Sequence, residues 1–168
     1  MRRTLLVYIF LSALACHAAE DPFIGKWTLN ASKTKYPKSV PLPKSMSITM
    51  EPAGGQGSGI HYRSEISFQD GKFPSGKTSA GAVLISDYTA DYSGTPVVVV
   101  TNGGVTTPVS LKRLSERTVV ATYARENIVL ATSTRVVSKD GQTMTVTTIS
   151  KDKSGKNVTT VGVYQKVQ

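Results

Sequence analysis

The side chains that most often perform catalysis or bind metals are scarce in this chain of 168 residues. It contains two histidines and one cysteine. His17 and Cys16 lie in an apolar N-terminal stretch, which leaves His61 alone in the remainder. The carboxylates show no spacing that pairs them for acid–base work. A single histidine fills neither a metal cluster nor a Ser-His-Asp triad, so the sequence predicts no catalytic residue, no metal site and no cofactor.

The first 19 residues have the pattern of a secretory signal peptide. Arg2 and Arg3 precede the apolar run LLVYIFLSALA, and small residues follow it. This pattern predicts cleavage near Ala18 or Ala19, a mature domain of residues 20–168 and a secreted or periplasmic location. A retained N-terminal anchor is the alternative.

Cys16 lies just after the apolar run, where a lipoprotein would be acylated. The large aliphatic residue, Leu14, stands one place too late for the usual lipoprotein pattern, so a lipid anchor is the second expectation. After cleavage the domain has no cysteine. This excludes a disulfide framework and a thiolate nucleophile, and leaves stability to the hydrophobic core.

The charge balance favours anionic partners. The chain has 20 basic and 11 acidic residues; without Arg2 and Arg3 the basic residues fall to 18, which gives a net charge of +7. Such a surplus attracts acidic amphiphiles, anionic membranes and cell-wall polymers. Nucleic acid is not an expected partner, because aromatic residues are few and no recognition helix or stacking platform is visible.

Alternating polar and apolar residues predict an all-β fold. IHYRSEISF (60–68) places Tyr62 and Phe68 on one face and His61 on the polar face, where it is expected at the surface. Similar runs are separated by Asp-Gly, Ser-Gly and Gly-Gly turns, which gives nine or ten strands and no convincing helix. We expect a single antiparallel up-and-down β-barrel of about 8–10 strands, with a two-sheet sandwich as the alternative.

The two ends of the chain carry a family resemblance. Gly25-Lys26-Trp27, with Phe23 before it and Leu29 after it, resembles the first strand of the lipocalins and of the fatty-acid-binding proteins. VGVYQKV (161–167) is similar to the last strand of the fatty-acid-binding proteins, and Thr134-Arg135 followed by Asp140-Gly141 resembles their arginine strand and hairpin. The chain also resembles small secreted bacterial lipocalin-like proteins. The match is poor over residues 53–105.

Gly25 and Trp27 are expected to plug the closed end of this barrel. An indole ring buries a large area and needs only one partner for its N–H group. A glycine before it allows the backbone to bend or another strand to approach closely. A tryptophan that stacks on a ligand is the alternative interpretation.

The opposite end is expected to be open and basic. The segment after the first strand, residues 30–44, contains three prolines that leave no room for a helical cap. It carries four lysines that could steer an anionic ligand towards the mouth of the barrel, namely Lys33, Lys35, Lys38 and Lys44. An ordinary solvated loop explains them equally well.

Arg135 is the strongest candidate for a ligand contact. It shares a strand face with Val129, Ala131 and Val137, and burial of an arginine among apolar residues needs a partner. The resemblance to fatty-acid-binding proteins implies a ligand carboxylate, whereas the lipocalin pattern implies packing over Trp27. An exposed Arg135 remains a third alternative.

The other predicted ligand contacts are Tyr164, Tyr62 and Phe68. The resemblance assigns Tyr164 to the carboxylate site, but the arginine that the pattern places two residues earlier is replaced by Gly162. The valines at 161, 163 and 167 also alternate with Tyr164, which leaves an outward orientation open.

Two functions follow as hypotheses. The first is a secreted, non-catalytic and monomeric protein that holds a small apolar or anionic amphiphilic molecule in a barrel cavity. The alternative is an envelope-associated scaffold that contacts anionic surfaces through its basic face. An isomerase or hydrolase has no residue set to support it.

Overall fold

The computed structural model describes residues 20–54, 59–68, 83–102 and 104–167. The predicted signal peptide, Cys16 and the Asp70-Gly71 turn lie outside the described residues. The described residues contain no helix that is long and apolar enough to span a membrane.

The described residues form eleven strands, two of which are only two residues long. They are β1 (Gly25–Leu29), β2 (Ser45–Pro52), β3 (Gly59–Ser67), β4 (Val83–Asp91), β5 (Val100–Thr101), β6 (Gly104–Val105), β7 (Val109–Ser115), β8 (Thr118–Arg125), β9 (Ile128–Val137), β10 (Thr143–Lys151) and β11 (Asn157–Val167).

All eleven strands belong to one antiparallel sheet, in the order β6-β5-β4-β3-β2-β1-β11-β10-β9-β8-β7. Strands that follow each other in sequence are neighbours in the sheet, except β6 and β7, which are its two end strands. The first strand also pairs with the last, with Trp27 opposite Lys166. The barrel closes where Val97, between β4 and β5, and Val109 of β7 exchange backbone hydrogen bonds of 2.8 and 2.9 Å. The up-and-down antiparallel barrel is confirmed, and the two-sheet sandwich is wrong.

The alternation of side chains fixes which residues face the interior. In β2 the buried residues are Ile48 and Met50, and in β3 they include Ile60 and Tyr62. Polar residues between them face outward, because successive side chains of a strand point to opposite faces.

One prediction from alternation fails in β9. Val129 was expected on the same face as Arg135, but it is 51% exposed. The pairing of β8 with β9 shifts between Tyr123 and Ala124, so that Ala131 and Val129 are consecutive partners of β8. This bulge inserts one extra residue, and an extra residue breaks the alternation on its far side.

Trp27 lies at the centre of the packed half of the barrel. Its side chain is 0% exposed, and its Nε1–H donates to the backbone carbonyl of Phe23 at 2.9 Å. The packed half also contains Met50, Ile60, Leu111, Val119, Val137 and Met144. The indole therefore fills one end of the barrel and satisfies its only polar group locally.

A salt bridge fastens the N-terminal segment across this closed end. The Asp21 carboxylate accepts hydrogen bonds from Arg113 and from the Tyr92 hydroxyl, the latter at 2.8 Å. The Arg113 guanidinium lies 3.9 Å from the centre of the Tyr92 ring and 5.4 Å from that of Phe23. This contact positions Phe23, and with it the backbone carbonyl that accepts the hydrogen bond from the Trp27 Nε1–H group.

Gly25 has a backbone conformation that few other residues adopt, with φ of 126°. A Cβ atom there would lie 2.7 Å from Cε of Lys166, whose ammonium is 5.4 Å from the centre of the Trp27 ring. The glycine therefore lets Lys166 cross the backbone and reach the face of the indole.

We expect Gly25→Ala to lower the free energy of unfolding by about 1–3 kcal/mol, the usual cost of a strained backbone angle. It should also change Trp27 fluorescence, because Lys166 is displaced. Denaturant titration followed by fluorescence measures both effects. Gly94→Ala is the control, since Gly94 has φ of 93° but open space around it, and native Trp27 emission should stay unchanged there. An unaltered unfolding midpoint for Gly25→Ala would contradict this account.

Candidate ligand-binding cavity

The barrel half nearer the mouth contains a cavity of about 250 Å³. Its walls come from β2, β3, β8, β9, β10 and β11 and from the segment between β1 and β2. Apolar side chains line one part, namely Met46, Ile48, Ile66, Phe68 and Val146. Polar side chains line the other part, namely Tyr62, Tyr123, Ser133, Arg135, Thr148, Thr160 and Tyr164. A largely apolar cavity with a few converging polar groups is the usual form of a small-molecule site.

Arg135 lies in this cavity and is only 3% exposed. Its guanidinium carbon is 4.7 Å from the centre of the Tyr62 ring. Its Nη2 donates to the Tyr88 hydroxyl at 2.9 Å and to the Tyr123 hydroxyl at 3.5 Å. Tyr62 and Tyr88 stack on each other with ring centres 4.7 Å apart. The two tyrosines that contact the guanidinium therefore hold each other in place.

The positive charge of Arg135 is not balanced within the described part of the chain. No described carboxylate forms an ion pair with it, and its buried Nη1 has no hydrogen-bond partner among the described residues. Burial by itself lowers the pKa of Arg135, but the surrounding tyrosine oxygens outweigh burial and the pKa is raised. The guanidinium therefore remains charged at every physiological pH.

Three tyrosines near Arg135 stay in the neutral, protonated form. Burial raises the pKa of Tyr62, Tyr88 and Tyr164 above the ordinary value for a phenol. Their hydroxyls can accept a hydrogen bond from the guanidinium and donate one to a ligand. They hold the charge in place without cancelling it.

Tyr164 points into the barrel, although alternation with valines left this open. It is buried, and its hydroxyl lies 3.0 Å from the Met46 sulfur, to which it donates. Its ring lies over Gly162, where a Cβ atom would be 2.9 Å from Cε2 of Tyr164. The neighbouring Val161 and Val163 therefore lie on the outer face. Valine suits a strand on either face, so its presence did not indicate which face is buried.

The segment between β1 and β2, residues 30–44, is called the proline-rich segment. It forms a wall of the cavity, so the mouth is not fully open, contrary to the prediction from its sequence. Tyr36, Val40, Pro41 and Pro43 all line the cavity, and Pro43 is buried. The four lysines of the segment are exposed. None of these lysines, Lys33, Lys35, Lys38 and Lys44, lines the cavity.

The structure brings together the four residues that the sequence identified as ligand contacts. Arg135, Tyr62, Phe68 and Tyr164 all line the same cavity. The predicted packing of Arg135 over Trp27 is wrong, because the guanidinium lies on Tyr62, while Lys166 lies over Trp27.

Three residues around Arg135 were missed. They are Tyr88, Tyr123 and Ser133, none of which was predicted as a site residue from the sequence. Alternation in TVVATYAR places Tyr123 on the face of Val119 and Ala121, so its inward orientation could have been predicted from that run.

His61 lies on the outer face of the barrel, away from the cavity. Its Nε2 is 2.9 Å from Asp87 Oδ1 and its Nδ1 is 3.8 Å from Glu51. The hydrogen bond with Asp87 raises the pKa of His61, which favours the protonated form. Within the described ranges, no group of three histidine, cysteine or carboxylate side chains could hold a metal ion.

Comparison with known proteins identifies the fold. No protein-family model and no curated protein matches this sequence. A solved structure, the fatty acid binding protein of Schistosoma mansoni in complex with arachidonic acid, is similar over 88% of this chain and 97% of that chain. The TM-score is 0.51 and the sequences are 15% identical. The lipocalin-like and fatty-acid-binding-protein-like barrel expected from the sequence is therefore confirmed as the fold.

We expect Gly162→Ala to lower the free energy of unfolding by about 1–3 kcal/mol, because the added methyl group overlaps the Tyr164 ring. The same change in a Tyr164→Ala background should cost much less, since the ring is gone. Thermal denaturation of the four members of this double-mutant cycle gives the coupling between the two positions. An equal loss of stability in both backgrounds would show that the Tyr164 ring does not need a glycine at position 162 for its packing.

Proposed function

We propose that this protein is a non-catalytic carrier that holds one amphiphilic molecule in its barrel, with an anionic headgroup at Arg135. The observation behind this proposal is the buried guanidinium with an unpartnered Nη1 and no described counter-charge. The apolar wall of the cavity suits the tail of such a molecule.

Energetics favour a ligand with a negative charge. A buried charge without a partner is costly to the empty protein, because desolvation is not compensated. A carboxylate placed beside Arg135 would accept a hydrogen bond from Nη1 and neutralise the positive charge of the guanidinium. A charge-assisted hydrogen bond of this kind is shorter and stronger than a neutral one.

The rigid setting of Arg135 also supports this function. The guanidinium is held between the Tyr62 ring and the Tyr88 hydroxyl, so it loses little freedom when a ligand binds. Nη1 is left as the free donor. Of the cavity hydroxyls, that of Tyr123 lies 3.5 Å from Nη2, a long hydrogen bond that it can exchange for one to the ligand.

The similar structure from Schistosoma mansoni holds arachidonic acid, a fatty acid. It supports the proposed class of ligand, a carboxylate with an apolar tail. The cavity of about 250 Å³ is at the lower edge of the range of about 300–1,000 Å³ that is usual for small-molecule sites. We infer that the ligand has a short tail, or that its tail extends past the proline-rich segment.

The proposal includes a location outside the cytoplasm, which rests on the signal-peptide pattern of residues 1–19. It also includes the absence of catalysis, because the cavity-lining residues contain no nucleophile and base within reach of each other.

We expect Arg135→Leu to weaken the binding of laurate by about 10- to 150-fold, corresponding to about 1.5–3 kcal/mol for a charge-assisted hydrogen bond. Stability of the empty protein should fall little or rise, because an unpaired buried charge is removed. Isothermal titration calorimetry and thermal denaturation measure the two quantities.

Arg63→Leu is the matched control for this experiment, since Arg63 is exposed on the outer face of β3. It should bind laurate as the unsubstituted protein does. If Arg135→Leu retains its affinity but melts at a much lower temperature, Arg135 is a structural residue and the proposal fails.

Ligand chemistry provides an independent prediction. We expect laurate to bind at least tenfold more tightly than dodecanol, which has the same tail without a charge, since about 1.4 kcal/mol of headgroup interaction is a factor of ten. Arg135→Leu should remove this preference. Competition against a naphthalene sulfonate probe measures both ligands in one assay, and equal affinities for laurate and dodecanol would argue against a headgroup site.

A further inference from the structure

The tip of the β8–β9 hairpin exposes three consecutive aliphatic side chains. Ile128 is 63% exposed, Val129 51% and Leu130 42%. They follow the tight turn at Glu126 and Asn127, both of which have positive φ. Consecutive exposed aliphatic residues at a hairpin tip are costly in water unless they contact a partner. We call Ile128, Val129 and Leu130 the apolar tip.

The apolar tip lies at the mouth end of the barrel, beside the β10–β11 turn. β9 and β10 pair at Ala131 and Ser150, so Leu130 and Lys151 lie one position further towards the mouth. Six exposed lysines occupy the loops at this end, and we call them the basic rim: Lys33, Lys35, Lys38, Lys44, Lys153 and Lys156.

The basic rim carries an excess of positive charge, since its six lysines lie beside only two described acidic residues, Asp152 and Glu126. None of its lysines forms an ion pair with a described carboxylate, whereas the ion pairs of the barrel lie at its closed end and on the outer face of β2–β4. Asp152, the acidic residue of the β10–β11 turn, accepts hydrogen bonds from the backbone N–H groups of Ser154 and Lys156 at 2.8 and 3.0 Å. Glu126 is the other acidic residue beside the tip.

We propose that this end of the barrel docks on an anionic lipid bilayer. The apolar tip would enter the boundary between headgroups and acyl chains, while the basic rim contacts the anionic headgroups. Apolar insertion combined with electrostatic attraction is the general basis of binding to the membrane surface. The proposal does not depend on the cavity holding a ligand.

A groove beside the proline-rich segment supports a bilayer as the partner. It measures about 520 Å³ and lies between Ser39 and the β10–β11 turn, with Lys151 and Lys153 on its wall. Val40 and Pro41 line both this groove and the inner cavity. A lipid held at the groove is therefore separated from the cavity by a single layer of side chains.

The test is flotation of the protein with vesicles of phosphatidylcholine mixed with phosphatidylglycerol. We expect binding that weakens as salt rises from about 0.1 M to about 1 M, because the screening length falls from about 10 to 3 Å. Vesicles of phosphatidylcholine alone should bind much more weakly. Failure to bind the mixed vesicles at low salt would overturn the proposal.

Two variants test the apolar tip. Ile128→Thr/Val129→Thr/Leu130→Thr places a β-branched residue, which suits a strand, at all three positions and should weaken vesicle binding by at least about tenfold. Leu114→Thr/Val136→Thr/Val167→Thr changes three exposed aliphatic residues elsewhere on the barrel and should bind as the unsubstituted protein does. Equal binding by the two variants would overturn the role of the tip.

Two further variants test the basic rim at equal net charge. Lys153→Gln/Lys156→Gln should weaken binding about 30-fold, since each basic residue near an anionic surface contributes about 1 kcal/mol. Lys112→Gln/Lys139→Gln removes two exposed lysines outside the rim and should have much less effect. Equal losses would mean that only net charge matters, which overturns a defined docking surface.

Two measurements separate docking from other outcomes. Binding of a naphthalene sulfonate probe in solution should be unchanged in the tip and rim variants, so a failure of docking is distinct from a failure of the ligand cavity. Light scattering without lipid should give a monomer. A dimer that the tip variant abolishes would assign the tip to a second copy of this chain and overturn the proposal.

Discussion

The pairing of the first strand with the last is the constraint on which the rest of the structure depends. β1 lies between β2 and β11, so Trp27 has Ile48 on one side and Lys166 on the other. This pairing joins two halves of the sheet that are distant in sequence, and it places the indole at the centre of the closed end. One half of the interior is then filled by large side chains, while the other half keeps a cavity.

The same closure brings Arg135 to a place where its charge has no described counter-ion. Residues from β3, β4 and β8 surround the guanidinium, and the ones that touch it are tyrosines. Such an arrangement is costly for folding, because a buried charge loses its hydration. It is favourable for binding, because the charge is fixed in position before a ligand arrives. Functional sites commonly combine these two properties.

The two ends of the barrel differ in whether their charges are paired. At the closed end, Asp21 and Arg113 form a salt bridge that holds the N-terminal segment over the core. At the mouth, the lysines of the loops have no described acidic partner, and exposed aliphatic residues lie beside them. Paired charges stabilise a surface that only contacts water, whereas unpaired charges of one sign attract a partner of the opposite sign. The cavity lies in the half of the barrel nearer the end with unpaired charges.

The sequence by itself determined most of the strands, indicated the barrel and placed Arg135 on one strand face with Ala131 and Val137, because side chains alternate along each strand and turn residues separate the strands. That this face points inward was decided by the tertiary structure. The sequence also indicated Gly25 and Trp27 as a pair. Only the tertiary structure decided what Arg135 contacts, that Val129 faces outward and that the proline-rich segment covers the cavity. Those outcomes depend on strand register, on a bulge in the β8–β9 pair and on contacts between residues far apart in sequence. Local periodicity specifies the face on which a side chain lies, but the partners on that face are set by how distant strands align when the sheet closes.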